Sequence, residues 1–129
     1  MSNIHEEYRE SGTVRISDEV VGVIAGLAAL EIQGVAGMSG SGFAGSVVEM
    51  LGKRNLSKGV KVTVGDRQAA VELSIIVEYG VLIPVVARNV QENVRRAIES
   101  MTGLQVMEVN VHVQGVDFTD KVEENPKGK

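Results

Sequence analysis

The sequence predicts a two-layer α+β domain: a small, mostly antiparallel sheet with helices packed on one face. Three observations carry this. Val71, Leu73, Ile75, Val77 and Tyr79 alternate with Ala70, Glu72, Ser74, Ile76 and Glu78, the signature of a strand with one buried face. Val86, Val90, Val94, Ala97, Ile98 and Met101 recur at helical spacing. Further strand and helix patterns flank these two, in the order strand–helix–helix–strand–strand–helix–strand.

Residues 12–16, with Val14 and Ile16 alternating with polar neighbours, read as a short first strand. Ser17 or Asp18 can cap a helix that runs to about Gln33. Its apolar positions are Val20, Val23, Ile24, Leu27 and Leu30, and Gly34 is a plausible stop. Gly22 and Gly26 form a GxxxG pair, which in a soluble helix allows close packing. The glycine-rich residues 34–45 read as a loop, and Val35, Ala36, Gly37 and Met38 make a poor strand. A short helix follows from Phe43 to about Arg54, with Val47, Met50 and Leu51 facing the core.

Val60, Val62 and Val64 alternate with Lys61 and Thr63 in the next strand. Gly65, Asp66, Arg67 and Gln68 supply turn chemistry before the long strand, giving a hairpin. Pro84 suits the first turn of the long helix, where its missing N–H leaves nothing unpaired. Gly103 ends that helix. The last strand turns Val109, Val111 and Val113 inward and Glu108, Asn110, His112 and Gln114 outward. The 129 residues thus divide into an N-terminal segment at 1–11, a single domain at 12–118 and a charged tail at 119–129.

Composition excludes several function classes. With no cysteine there are no thiol nucleophiles, thiolate zinc sites or iron–sulfur clusters. A net charge of -4 argues against a generic electrostatic nucleic-acid binder. The polar, acidic first ten residues lack the order of a signal peptide. The longest apolar run, beginning at Val20, is about 11 residues, against about 20 for a membrane span. The expectation is a cytoplasmic protein whose membrane contact is peripheral, through a partner.

Each candidate chemistry meets a plainer explanation. GSGFAG at 40–45 matches GxGxxG, with Asp66 placed as a ribose-binding acid would be. That fingerprint needs a buried parallel strand before it and further βαβ units after it, and here a hairpin follows. Gly42 to Gly45 also has the GxxG form of a nucleotide-clamping module. Phe43 and Ala44 within it carry no charge, although Lys53, Arg54, Lys58, Lys61 and Arg67 form a basic patch downstream. RNA binding is therefore the weaker reading. His112 lies on an outward polar strand face, and no spacing links it to Ser74 or to a carboxylate. No catalytic, cofactor-binding or metal site is expected.

The informative surface is the outward sheet face, where Glu72, Ser74, Ile76, Glu78, Asn110, His112 and Gln114 lie with nothing left in the chain to cover them. Simple solvation explains most such faces. The alternative is a partner or self-association surface anchored by Ile76. Arg88, Arg95 and Arg96 on the wet side of the long helix complete the candidate interaction surface.

GTVRIS at 12–17 and QGVAGM at 33–38 open a series of motifs that resembles the alkaline shock protein, or envelope stress response, family of Gram-positive bacteria. VELSIIVEYG at 71–80, Ile83 with Pro84, VQENV at 90–94 and VNVHVQGV at 109–116 continue it in order. The resemblance implies a small protein without enzymatic activity. Some members are held at the membrane by an integral-membrane anchor partner and tied to envelope stress. Relatives with short tails are associated with fatty-acid metabolism, including control of acetyl-CoA carboxylase. The leading expectation is a non-enzymatic interaction or scaffold module in envelope homeostasis, acting through self-association and a membrane-anchor partner. The alternative is a regulator that binds a lipid-synthesis enzyme.

Overall fold

The strand Gln68–Glu78 organises the molecule. The structure is a computed structural model that describes residues 12–39 and 59–118. Its elements in chain order are α1 (Asp18–Leu30), β1 (Val35–Met38), β2 (Val60–Val64), β3 (Gln68–Glu78), α2 (Ile83–Thr102) and β4 (Gln105–Asp117). Both β1 and β2 pair antiparallel with β3, and β4 pairs parallel with it. The two helices cover one face of this mixed sheet. The α+β layering expected from the sequence is therefore present.

The two antiparallel partners share one edge of β3. β2 spans Ala69 to Leu73, and β1 spans Ile75 to Val77. Between them, Ser39 N–H donates to Ser74 O and Ser74 N–H donates to Gly59 O, each at 2.8 Å. The chain leaves the sheet edge at Ser39 and rejoins it at Gly59, so β1 and β2 are two halves of one interrupted edge strand. Gly59 takes a φ of +81° at this seam, where an added Cβ would lie 2.5 Å from Ser39 O.

The long elements follow their sequence patterns. Ser17 caps α1, its hydroxyl accepting from Val20 N–H at 3.2 Å. Pro84 sits in the first turn of α2, and Gly103 closes that helix in the left-handed conformation at φ 78°. Val86, Val90, Val94 and Ile98 of α2 pack onto Val71, Leu73, Ile75 and Val77 of β3 in a core of aliphatic and alanine side chains with no buried polar residue among those described. Such burial is worth about 1.5–3 kcal/mol per large side chain.

Several expectations are corrected. Residues 12–16 form no strand: they pair with no strand edge and are exposed apart from Ile16, which packs against the core on the way to the Ser17 cap. α1 ends at Leu30 with Glu31 as its cap, and Gly34, at φ 104°, serves the turn into β1. Val35–Met38, read as loop, is a strand, because pairing with β3 outweighs the weak propensity of its alanine and glycine.

α1 buries Val21, Ile24, Ala25, Ala28 and Ala29 together with Gly22 and Gly26, and leaves Val20, Leu27 and Leu30 partly exposed. The small residues let the helix approach its neighbours closely, so the buried stripe is the one with less bulk. Tyr79 and Met101, assigned inward, are exposed: Tyr79 lies in the turn after β3, and Met101 in the last turn of α2. The hairpin at 65–68 is present, closed by Gly65 N–H to Gln68 O at 2.7 Å. The next connection is nevertheless a βαβ crossover, since β3, α2 and a parallel β4 follow one another. The expected helix at 43–54 lies outside the described residues.

β4 carries two irregularities that set its faces. Met107 is an extra residue between Val106, opposite Ala69, and Glu108, opposite Ala70. It moves the buried set from Val106 to Val109, Val111 and Val113, so the inward valines are those expected. Gln114 is a second extra residue, between the Ile75–Val113 and Ile76–Gly115 partners. Side chains of α2 cover the first part of the outer edge of β4. Glu99 Oε2 accepts from Val106 N–H at 3.0 Å, Arg95 Nη1 donates to Val106 O at 2.7 Å, and Gln91 Nε2 donates to Val109 O at 3.0 Å.

Candidate functional site

The open face of the sheet is the candidate site. Helices occupy the other face, and no described element covers this one. Its side chains come in rows across the three strand positions, fixed by the pairing register. One row is Thr63, Ala70 and Glu108; the next is Lys61, Glu72 and Asn110. Ser74 then stands beside His112, and the following row is Gly37, Ile76 and Gly115. Glu78 stands opposite Asp117 at the end. Lys61, Thr63, Ala70, Glu72, Glu108 and Asn110 line a shallow depression, which forms because Ala70 is short between longer neighbours.

Seven of the sequence-derived residues share this face or its bulge: Glu72, Ser74, Ile76, Glu78, Asn110, His112 and Gln114. Gln114 occupies the second bulge and has no residue directly opposite in β3. The three arginines do not join them. Arg88, Arg95 and Arg96 lie on α2, across the sheet from the open face, so the ten residues form two surfaces rather than one. Arg95 also has a structural task in its bond to Val106 O.

The register brings Ser74, His112 and Glu72 onto neighbouring positions, which their spacing in sequence did not reveal. His112 Nε2 lies 3.7 Å from Glu72 Oε2, with both side chains half exposed. Ser74 makes no side-chain hydrogen bond to His112, so these two residues do not form a nucleophile–base pair. Among the described residues no group of three or more His, Cys, Asp or Glu is placed to hold a metal ion. The geometry offers an open, largely polar surface on which Ile76 stands between two glycines.

Sequence reasoning left out Lys61, Thr63 and Ala70 as site residues, although the period of two in residues 60–64 puts Lys61 and Thr63 on the face of Glu72. Gly37 and Gly115 were also missed. A glycine within a strand marks a bulge or a close approach by another surface, and both of these adjoin register shifts. Outside the sheet face, Tyr79 and Phe118 stack with ring centroids 5.1 Å apart and half their surface exposed. The GxGxxG and GxxG residues 40–45, with Lys53, Arg54 and Lys58, lie outside the described residues; Lys61 belongs to the open face and Arg67 to the β2–β3 turn.

Comparison with known proteins matches residues 6–118 to the model of the alkaline shock protein 23 family, described as having a cell envelope-related function. The chain belongs to that family. This is the relationship that the motif series implied. The uncharacterized protein YqhY of Bacillus subtilis (strain 168) is 47% identical over 113 residues, covering 88% of this chain and 83% of that protein. The uncharacterized protein YloU of the same organism is 39% identical, over 84% of this chain and 92% of its own. A protein of Streptococcus pyogenes serotype M3 named stress response regulator gls24 homolog is 32% identical over 87% of this chain, which spans 63% of that protein. One solved structure, MamM-CTD H285A, superposes with a TM-score of 0.49 at 14% identity over 78% of this chain and 100% of that chain, a likeness too slight to bear on function. This alkaline shock family chain has no helix among its described residues that is long and apolar enough to cross a membrane.

Proposed function

We propose that this alkaline shock family chain is a non-enzymatic interaction module of envelope homeostasis, acting through self-association and through a partner anchored in the membrane. One observation carries the reading: among the described residues an entire sheet face is left without a covering layer, and Ile76 stands on it between Gly37 and Gly115. A bulky aliphatic side chain between two bare backbone positions is what a docking partner can grip. The family's envelope-related description supports the setting. Contact with the membrane then comes through the partner, in keeping with the lack of a spanning helix among the described residues.

The test is mild crosslinking in living cells, recovery of the tagged chain and mass spectrometry of what comes with it. The expected result is an integral-membrane protein that is lost from the double variant Ile76→Lys with His112→Glu, while the variant stays folded. Unchanged recovery from that variant would show that the open face is not the binding surface. Recovery of a lipid-synthesis enzyme such as acetyl-CoA carboxylase, with no membrane protein, would replace the anchor by the regulatory reading.

A further inference from the structure

We infer that the occupant of the open face is the open face of a second copy, docked about a two-fold axis lying between the sheets and perpendicular to the strands. This rests on the reading above and names the geometry of its self-association, the second copy and the membrane-anchored partner taking the same face in turn. The argument rests on the rows. An axis passing over Leu73 sets β3 antiparallel to β3 of the other copy and brings the row through Ala70 against the row through Ile76. The first row is Thr63, Ala70, Glu108; the second is Gly37, Ile76, Gly115. Within these two rows long faces short: Thr63 meets glycine, Ala70 meets Ile76, and Glu108 meets glycine. The contact is made twice, since a two-fold interface repeats each pair.

The same arrangement pairs no opposite charges but keeps the carboxylates Glu72, Glu78, Glu108 and Asp117 from facing one another directly. Glu72 faces Ser74, and Asn110 faces His112. At the ends, Gln68 and Gln105 face Glu78 and Asp117. No carboxylate of one copy is set against a carboxylate of the other, which matters in a chain of net charge -4. A two-fold axis along the strands instead stacks Glu72 on Glu72 and Ile76 on Ile76, a like-charge contact and a collision of knobs. Shape selects the antiparallel stacking, and the avoidance of directly opposed carboxylates agrees with it. Three strand positions at ~4.8 Å and eleven residues at ~3.3 Å give a face on the order of 500 Å² per copy. Roughly 1,000 Å² in total is the lower end of specific interfaces, so the dimer is weak and depends on concentration.

Analytical ultracentrifugation of the full chain, from about 10 μM to about 1 mM, reads this association directly. Ala70→Ile places two large side chains against each other, and Ile76→Ala leaves two small ones; each is expected to weaken the dimer about tenfold or more. The double variant Ala70→Ile with Ile76→Ala exchanges knob and hole, and is expected to return the dissociation constant to within about threefold of the parent. Circular dichroism melts of all four proteins check that each remains folded. Single variants that dimerise like the parent would overturn the inference, as would a double variant no better than the worse single one. A parent that stays monomeric at the highest concentration also overturns it. The partner-binding reading is judged separately, by recovery from crosslinked cells, and survives if the membrane partner is captured by a monomeric chain.

Discussion

Replacing Gly59 by alanine probes the seam where the interrupted edge strand meets β3. The residue sits at φ 81°, a conformation that costs an L-residue about 1–2 kcal/mol relative to glycine. The new Cβ would also fall 2.5 Å from Ser39 O and 3.2 Å from Ser74 O. Both oxygens are backbone atoms at the seam, Ser74 O held by the amide of Ser39. Relieving the overlap means giving up at least one of the two bonds at Ser74, each worth about 1 kcal/mol net. The expected destabilisation is about 3 kcal/mol, a large share of the about 5–15 kcal/mol that holds a typical domain. In a thermal melt this is a fall of roughly 10 °C for a chain of this length. Gly37→Ala is the control, because its added Cβ meets nothing within 4 Å, and it should change stability by less than about 0.5 kcal/mol. Urea unfolding of the two variants beside the parent decides the matter. If Gly59→Ala were as stable as Gly37→Ala, the two halves of the edge strand would not abut as described.

Other substitutions address separate parts of the frame. Ile98→Ala removes a side chain with no exposed surface and is expected to cost about 3 kcal/mol, read as a lowered urea midpoint. Glu99→Ala strips the acceptor from Val106 N–H; the amide of Val106 should exchange with solvent faster, with a loss of about 1–2 kcal/mol. Asn93→Ala removes a side chain that donates to Ala28 O at 2.8 Å and to Glu31 Oε1 at 3.0 Å, and should lower the melting temperature through about 1–2 kcal/mol of lost helix–helix anchoring. His112→Ala, by contrast, breaks only a half-exposed 3.7 Å pair and should leave stability within about 0.5 kcal/mol, a result that chemical denaturation can check.

The elements that sequence made plain are those whose burial follows a single period. β3 alternates through eleven residues because it is central, and α2 shows its stripe because only one side of it is covered. Where a second factor intervened, the pattern misled. In α1 apolar residues surround the helix, so hydropathy alone does not tell which stripe is buried; compactness decided for alanine and glycine over Leu27 and Leu30. β1 is too short and too glycine-containing to announce itself, and exists because β3 offers it an edge. The parallel course of β4 is a matter of topology that no local pattern encodes.

The candidate face was legible in part for the same reason. Alternation put Glu72, Ser74 and Ile76 on one side of β3, and Asn110 with His112 on one side of β4. The register between strands, which joins them into rows and sets Ile76 between two glycines, depends on two bulges in β4 and a shift in β1. The arginines were grouped with this face by charge and exposure, whereas the helix that carries them packs on the other side of the sheet.

The seam at Ser74 ties the two halves of the edge strand to a single residue. Its carbonyl accepts from the amide of Ser39 and its own amide donates to Gly59 O, so neither half can part from β3 at this point without disturbing the bond that holds the other. The amides of Ser39 and Ser74 are therefore expected to exchange with solvent together, as one cooperative opening of the edge.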